Sequence, residues 1–469
     1  MECPLLVLNL VLVIITLTNG EETFANSSNL CQRCQCPPGS DFLLDCERQN
    51  FHHMIGNWPD HNQPLIATFS FNNITNLETL PSSDLAQKIV LSYCGIKTMD
   101  TGVFKGVKNL KFLDLSYNLL TTENIGPDTF KGPYNNTVYE PLALEDLIFS
   151  YNQIHSLPHN IFEHLPLLKQ LNLEGNRLKV LDPPTQLALS GLRNLEVLNL
   201  ANNELTELVG SAIESLQMLR ILNLSKNKLD FVPSTLVLLS ASLEVLNLDS
   251  NLIFEINDNS FLGVKGIQTL SLKNLPRLQY VNANAFSPLK NLSILHLSNN
   301  PNLTSIDQEA FGENQTLLEL YLNNNSLEDL HYNLTKWSAL RFFTLNDNEL
   351  YCDCDLYEIS RDLRLEIKRS RDGPYCINPT NDTSIMIYDL TEEACEFERK
   401  IYRLSHVFNS HFEVMKLIFA VSLTVVILMG FVTVTIVFLR YRRRRMNQNY
   451  PFISQVLYNP LRNSSHIYI

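Results

Sequence analysis

Leucines recur along this chain in one phrase. The form L-x-x-L-x-L-x-x-N-x-L begins at residues 64, 86, 110, 144, 168, 195, 219, 243, 267, 292, 317 and 340, with a typical spacing of 24. Clear copies read Leu195-Glu-Val-Leu198-Asn-Leu200-Ala-Asn-Asn203-Glu-Leu205 and Leu219-Arg-Ile-Leu222-Asn-Leu224-Ser-Lys-Asn227-Lys-Leu229. Apolar residues alternating at the fourth and sixth places predict one short strand per copy, its leucines facing inward. No copy can bury that face alone, so the copies must stack. Strands about 4.8 Å apart then give an α/β solenoid whose concave parallel sheet is roughly 50 Å along its arc. Phe104, Phe130, Phe162, Phe261, Phe286 and Phe311 fall later in their copies and are expected to pack on one another beneath the convex side.

The ninth place is a buried corner where a small polar side chain can satisfy backbone groups. Asn fills it at 72, 118, 152, 176, 203, 227, 251, 300, 325 and 348. Cys94, in Leu91-Ser-Tyr-Cys-Gly-Ile96, stands in the same column. Its place in the repeat therefore predicts a buried, unreactive thiol in preference to a nucleophile, a metal ligand or half of a disulfide. Leu275 leaves its copy with no polar group there, so a local distortion is expected.

Two apolar segments stand outside this body. Pro4 to Leu17 is followed by small residues, so residues 1–20 read as a signal peptide cut near Gly20. Residues 417–439 carry no charge over a length that would cross hydrocarbon as a helix. Arg440-Tyr441-Arg442-Arg443-Arg444-Arg445 follows, and such a cluster stays on the cytoplasmic side. The expected topology is single-pass type I at the plasma membrane. Residues 21–439 hold 30 basic and 48 acidic groups, which disfavours nucleic acid and other polyanions as the main outside partner.

Cysteines gather where a solenoid needs its ends closed. Cys31, Cys34, Cys36 and Cys46 precede the first copy; Cys352, Cys354, Cys376 and Cys395 follow the last. Two sets of four in a secreted region read as disulfide frameworks, with zinc the rival for the first, and spacing alone does not fix the connectivity. The repeated phrase and the two clusters together resemble extracellular leucine-rich repeat proteins of the Slit and Toll type and the tartan and capricious type of surface protein. That resemblance implies a horseshoe with disulfide caps, pairing Cys31 with Cys36, Cys34 with Cys46, Cys352 with Cys376 and Cys354 with Cys395. The expected organisation is an N-terminal cap over 31–63, about twelve repeats over 64–350, a C-terminal cap over 351–395, a juxtamembrane stalk over 396–416, a membrane helix over 417–439 and a cytoplasmic tail over 440–469.

No catalytic motif emerges: there is no G-x-S-x-G, no H-E-x-x-H and no Gly-rich phosphate loop. His155, His159 and His164 follow a loop and not a helical face, which favours a solvated edge over a metal site. Neither cofactor nor metal is expected, and an enzyme is a distant third reading. Binding is the stronger class. The seventh and eighth places of the first four copies read Ser70-Phe71, Ser92-Tyr93, Ser116-Tyr117 and Ser150-Tyr151, with Phe112 on a neighbouring strand position. Stacking would line up Phe71, Tyr93, Tyr117 and Tyr151 one strand apart, and large amphipathic rings dominate contact energy at interfaces. N-x-S/T acceptors occur at Asn26, Asn73, Asn135, Asn223, Asn291, Asn302, Asn314, Asn324, Asn333 and Asn381. Most lie in the C-terminal half, so the N-terminal half is the expected docking surface. Gly132 to Tyr139 is an insertion that reads as a protruding loop.

The tail is too short for a catalytic domain and is expected to recruit others. Tyr450-Pro-Phe-Ile453 and Tyr458-Asn-Pro-Leu461 resemble tyrosine-based sorting signals, and Ile467-Tyr468-Ile469 resembles a C-terminal ligand for PDZ scaffolds. The expected function is a cell-surface receptor or adhesion molecule for an extracellular protein, with cytoplasmic adaptors as further partners. A shed or decoy binder that sequesters its ligand is the alternative.

Overall fold

The computed structural model describes residues 30–313, 316–368, 373–379 and 381–448, with side chains throughout except at 394, 396–415, 417–420 and 446–448. Two compact units divide after Ala394.

The first unit is a solenoid built on one parallel sheet of thirteen strands in chain order. These are β1 (Phe42–Asp45), β2 (Leu65–Thr68), β3 (Ala86–Val90), β4 (Phe112–Asp114), β5 (Asp146–Ile148), β6 (Gln170–Asn172), β7 (Val197–Asn199), β8 (Ile221–Asn223), β9 (Val245–Asn247), β10 (Thr269–Ser271), β11 (Ile294–His296), β12 (Glu319–Tyr321) and β13 (Phe342–Thr344). Twelve come from the twelve phrases. The thirteenth, β1, corrects the count, because the N-terminal cap supplies a full coil that pairs Phe42 with Leu65 and Leu44 with Ala67. An uncovered first strand would leave an open edge. The cap removes it: Cys31 bonds Cys36 and Cys34 bonds Cys46, and the buried Cys46 sits where later coils place their sixth-position leucine.

Inward leucines such as Leu198, Leu222, Leu246 and Leu270 are wholly buried, and one hydrophobic cluster runs from Leu30 to Ile387. The phenylalanines form two runs on the convex side. Phe104 stacks on Phe130 at 5.7 Å, and Phe286 packs between Phe261 (6.1 Å) and Phe311 (5.2 Å); Phe162 is buried as well. Between the runs, helices Pro183–Ser190 and Gly210–Ile213 and the 3₁₀ turn Ser234–Leu239 fill that layer with Ala188, Leu189, Ala212, Ile213, Leu236 and Leu239. At the far end Trp337 packs edge-on to Phe343, helix Cys354–Asp362 buries Leu356 and Ile359, and Cys352 bonds Cys376. Cys354 and Cys395 are each in a disulfide.

The asparagine column ties the coils together. Asn227 Nδ2 donates to Leu224 O in its own coil and to Leu200 O in the one before, while its Oδ1 accepts the Leu205 N–H. Asn251 repeats the arrangement one coil on, with Leu224 O, Leu248 O and the Leu229 N–H. Where both its own coil and the next carry the asparagine, a sixth-position carbonyl thus accepts from two of them, as Leu224 O does. That redundancy explains the two exceptions. At Leu275 the strand is undisturbed, β10 staying in register with both neighbours, while the turn differs locally: Asn300 Oδ1 accepts the N–H of Leu275 itself, the ninth residue, where most coils offer the eleventh. The carbonyls an asparagine would have bonded there, Leu272 O and Leu248 O, still accept from Asn300 and Asn251. Cys94 is buried, its thiol donating to Phe69 O at 3.0 Å, and burial pushes it up to about 11.

Described by itself, the second unit is mostly one helix, Glu393–Gln448, of 56 residues. The segment 396–416, expected as a stalk, is helical backbone within it. Val421–Arg445 is long and apolar enough to cross a membrane.

The shared carbonyl yields a thermodynamic test. Asn227→Leu should cost about 1–3 kcal/mol for the orphaned Leu205 N–H. Combining it with Asn251→Leu strips Leu224 O of both donors, so the pair should exceed the sum of singles by about 1 kcal/mol or more, whereas Asn203→Leu with Asn300→Leu, which share no carbonyl, should add within about 0.5 kcal/mol. Urea unfolding of the full chain in detergent measures both cycles, and equal coupling in the two pairs would contradict the shared-acceptor geometry.

Candidate functional site

Just beyond each strand the chain must turn out of the sheet, and the eighth position takes the left-handed conformation in every coil. Among the described residues φ runs from 51° to 69° at Arg48, Phe71, Tyr93, Tyr117, Tyr151, Gly175, Asn202, Lys226, Ser250, Asn274, Asn299, Asn324 and Asp347. In every coil but the last, the amide of this residue reaches the seventh-position carbonyl of the next coil: Phe71 to Ser92 O at 3.0 Å, Tyr93 to Ser116 O at 3.2 Å, Tyr117 to Ser150 O at 2.9 Å. A fixed backbone bond repeated coil after coil therefore sets the orientation and spacing of whatever side chain stands there.

In four successive coils that side chain is an aromatic ring. Phe71, Tyr93, Tyr117 and Tyr151 stack at 4.6, 4.2 and 4.3 Å with interplanar angles of 6–9°. Phe71, Tyr93 and Tyr117 remain 42%, 43% and 40% exposed, and Tyr151 is half-buried. Face is on face, so a partner meets the ring edges and the phenol hydroxyls. Behind them Ser70 and Ser92 share a hydrogen bond at 2.9 Å. Desolvation and then the neighbouring Tyr117 raise the Tyr93 phenol above its ordinary value.

Both ends of the ladder are finished by residues that sequence reasoning passed over. At one end the Arg48 guanidinium lies over the Phe71 ring, 4.6 Å from its centroid. At the other, Tyr151 lies flat over Gly175 and donates its hydroxyl to Glu174 Oε1 at 2.8 Å, a bond that with burial pushes the phenol up to about 12. The signal was positional: Arg48 is the eighth residue of the cap coil, invisible until that coil is recognised, and Gly175 is the eighth residue of the coil starting at 168.

Phe112 does not join the ladder. It sits in β4 with Lys88 Nζ over its ring at 4.3 Å. Of the glycan acceptors, Asn73, Asn135, Asn291, Asn302, Asn324, Asn333 and Asn381 are exposed. Asn223 is half-buried on the concave sheet, its Oδ1 accepting the Ser225 N–H at 3.1 Å. The insertion closes through a bridge between Tyr134 and Tyr139. Asn26, Asn314, Tyr450, Ile453, Tyr458, Leu461, Ile467 and Ile469, with the expected signal peptide, lie outside the described residues.

Gly175→Ala tests how the ladder ends. A Cβ there would lie 2.5 Å from Tyr151 Cδ1. The ring must move, costing about 1–3 kcal/mol and weakening its bond to Glu174, so the Tyr151 phenol should titrate lower. Thermal melting and ultraviolet phenol titration read both effects; an unchanged melt and titration would contradict the packing.

A leucine-rich repeat family model matches residues 85–135, 185–229, 241–301 and 290–350. Curated relatives include keratocan of Danio rerio, 29% identical over 126 residues, covering 24% of this chain and 36% of that protein. Lumican of Homo sapiens is 29% identical over 195 residues, covering 39% of this chain and 49% of its own. The chain thus spans half or less of the length of these relatives. A chain from the crystal structure of the LRIM1/APL1C complex is similar at 16% identity with a TM-score of 0.48, over 89% of this chain and 82% of that one; the assignment does not rest on it. The parallel sheet, the asparagine column and the matched segments identify the fold as a leucine-rich repeat solenoid.

Proposed function

We propose that this chain is a single-pass cell-surface protein whose solenoid binds another protein, as a receptor or adhesion molecule, through the ladder Phe71–Tyr93–Tyr117–Tyr151. One observation carries the reading. Bulky side chains in the left-handed conformation cost about 1–2 kcal/mol each, and elsewhere in the stack the same position holds Gly, Asn, Ser, Lys, Arg or Asp, with Asn the most frequent at Asn202, Asn274, Asn299 and Asn324. Three stacked pairs return about 0.5–1.5 kcal/mol apiece. Four such costs, about 4–8 kcal/mol, exceed the stacking return of about 1.5–4.5 kcal/mol, so the ladder does little for the fold. What it supplies is a rigid row of ring edges and hydroxyls, and rigid aromatic groups are the usual anchors of protein interfaces.

The placement rests on the helix. Its uncharged stretch followed by the arginine cluster favours an outside N-terminal part, which fits disulfide caps and exposed glycan acceptors. A signal peptide over residues 1–20, the pairing of Cys354 with Cys395, occupied glycans and tail motifs that recruit sorting or PDZ proteins belong to the same proposal. Phe112 is left to packing against Lys88. Relatives such as keratocan and lumican are themselves leucine-rich repeat proteins, which agrees with a binding module and leaves the partner open.

Tyr93→Asn with Tyr117→Asn is the direct test, because Asn accepts this backbone conformation without strain. Full chain displayed on cells should capture a protein from a panel of purified cell-surface ectodomains, and the double variant should lose about tenfold or more of that affinity while keeping its melting temperature and surface level. Undiminished capture by the variant would move the site away from the ladder.

A further inference from the structure

At the other end of the strands from the ladder, the second position of the phrase carries a run of charge. From the coil at 110 to the coil at 243 it reads Lys111, Glu145, Lys169, Glu196, Arg220 and Glu244, alternating in sign without a break, with Gln87 before and Gln268 after. The backbone fixes the row. Each of these amides donates to the second-position carbonyl of the coil before, Lys169 to Glu145 O at 2.8 Å, Glu196 to Lys169 O at 2.7 Å and Arg220 to Glu196 O at 2.8 Å. Successive charges therefore stand one strand apart, about 4.8 Å.

Within the chain, Lys169 Nζ donates to Glu145 at 2.6 Å and Arg220 holds Glu244 with two bonds of 3.1 and 2.8 Å. Lys111 and Glu196 form no salt bridge among the described residues and act on their neighbours through space. All these contacts run along the row and leave its outer side open: the Lys169 and Arg220 side chains stay 48% and 56% exposed. Exposed pairs of this kind contribute about 0–1 kcal/mol each to a fold, and an isolated pair such as Lys228 with Glu204 serves a coil contact by itself. Six signs in fixed order do something more. An even run of alternating charge is complementary to itself read backwards.

We infer that this strip joins two copies of the chain about a two-fold axis lying between the coils of Lys169 and Glu196. Rotation about that axis sets Lys169 against Glu196 of the second copy, Glu145 against Arg220, Lys111 against Glu244 and Gln87 against Gln268, each contact occurring twice, as a closed isologous interface requires. The rotation reverses the direction of the arc and keeps its curvature, so the strips stay opposed along their length. Sliding by one coil either way sets like charge on like throughout, which fixes the register. The residues immediately before each phrase, Asn109, Ala143, Leu167, Asn194, Met218 and Ser242, bring no charge to the flank, and Leu167 and Met218 are exposed there at 49% and 55%. One residue further out, Lys108 and Arg193 would oppose Ala241 and Pro166, so no like charges meet. Repulsion between two negative bodies is screened beyond about 8 Å at physiological salt, whereas the opposed pairs lie within that distance. The aromatic ladder, at the far end of the strands, stays free for a different protein, so this inference goes beyond that reading and does not depend on it.

Energy transfer between full-length chains labelled with donor and acceptor fluorophores, in detergent micelles, reads the association. The wild type should self-associate and weaken about tenfold or more when salt rises from about 0.1 to 0.5 M. Lys169→Glu and Glu196→Lys each place like charges together twice at the axis, so each alone should lose about tenfold or more of its self-association. Mixed with one another, the two variants restore opposite charges at both contacts and should recover most of it. A strip that acts only inside one chain gives no such recovery, because each variant keeps its own like-charged neighbours. Tyr93→Asn with Tyr117→Asn should associate as the wild type does, which separates this result from the ladder reading. A wild type that stays monomeric, single variants that associate undiminished through the membrane helix, or a mixture no better than either variant alone would each overturn the inference.

Discussion

One side-chain amide, repeated up the stack, fixes the geometry of everything else. An asparagine at the ninth position reaches carbonyls in its own coil and the coil before, and accepts an N–H from that earlier coil, as Asn203 does with Leu200 O, Leu173 O and the Leu178 N–H. The groups it pairs are backbone atoms that burial would otherwise strand at a cost of about 1–3 kcal/mol apiece. Leucine burial drives the coils together, but it is non-directional and would tolerate many turn shapes. The amide selects one. It holds the turn where it is present, and the backbone bond from each eighth-position N–H to the next coil carries the same left-handed conformation through Tyr93 and Asn274, which precede Cys94 and Leu275.

That constraint connects core to surface. The eighth position is a pegboard whose pegs all point the same way, and the chain uses it differently along its length. Four aromatic rings occupy it in the N-terminal half, a glycine gives the last ring a flat seat, and small or polar residues follow. The ring spacing is inherited from the coil spacing and cannot relax independently of the sheet. A row built this way is rigid before any partner arrives, which lowers the ordering cost of binding.

Much of this was legible in the sequence because the repeat carries it. Leucine spacing predicted the strands, the ninth-position asparagines predicted the column, and the aromatic run at the eighth position predicted rings one strand apart. The cap coil was hidden because Cys46 stands for its leucine and Gln49 for its asparagine. With that coil unseen, Arg48 could not be placed under Phe71. At Leu275 the phrase shows which side chain is missing but not that its acceptors have second donors, which keep the strand in register while the turn bonding shifts. Phe112 lies within its strand, as its place in the phrase predicted, and the Lys88 ammonium over its ring was not legible there.

The account stands on the amide bridges, and hydrogen exchange on the full chain reads them one by one. The N–H groups of Ile96, Leu120, Ile154, Leu178, Leu205 and Leu229 each donate to an asparagine Oδ1 in the next coil. Ile74 and Ile253 occupy the same place but face Cys94 and Leu275, which offer no oxygen. The bridged amides should exchange at the slow rate of the solenoid core, with Ile74 and Ile253 clearly faster. Uniform rates at all eight amides would show that the column does not hold the turns.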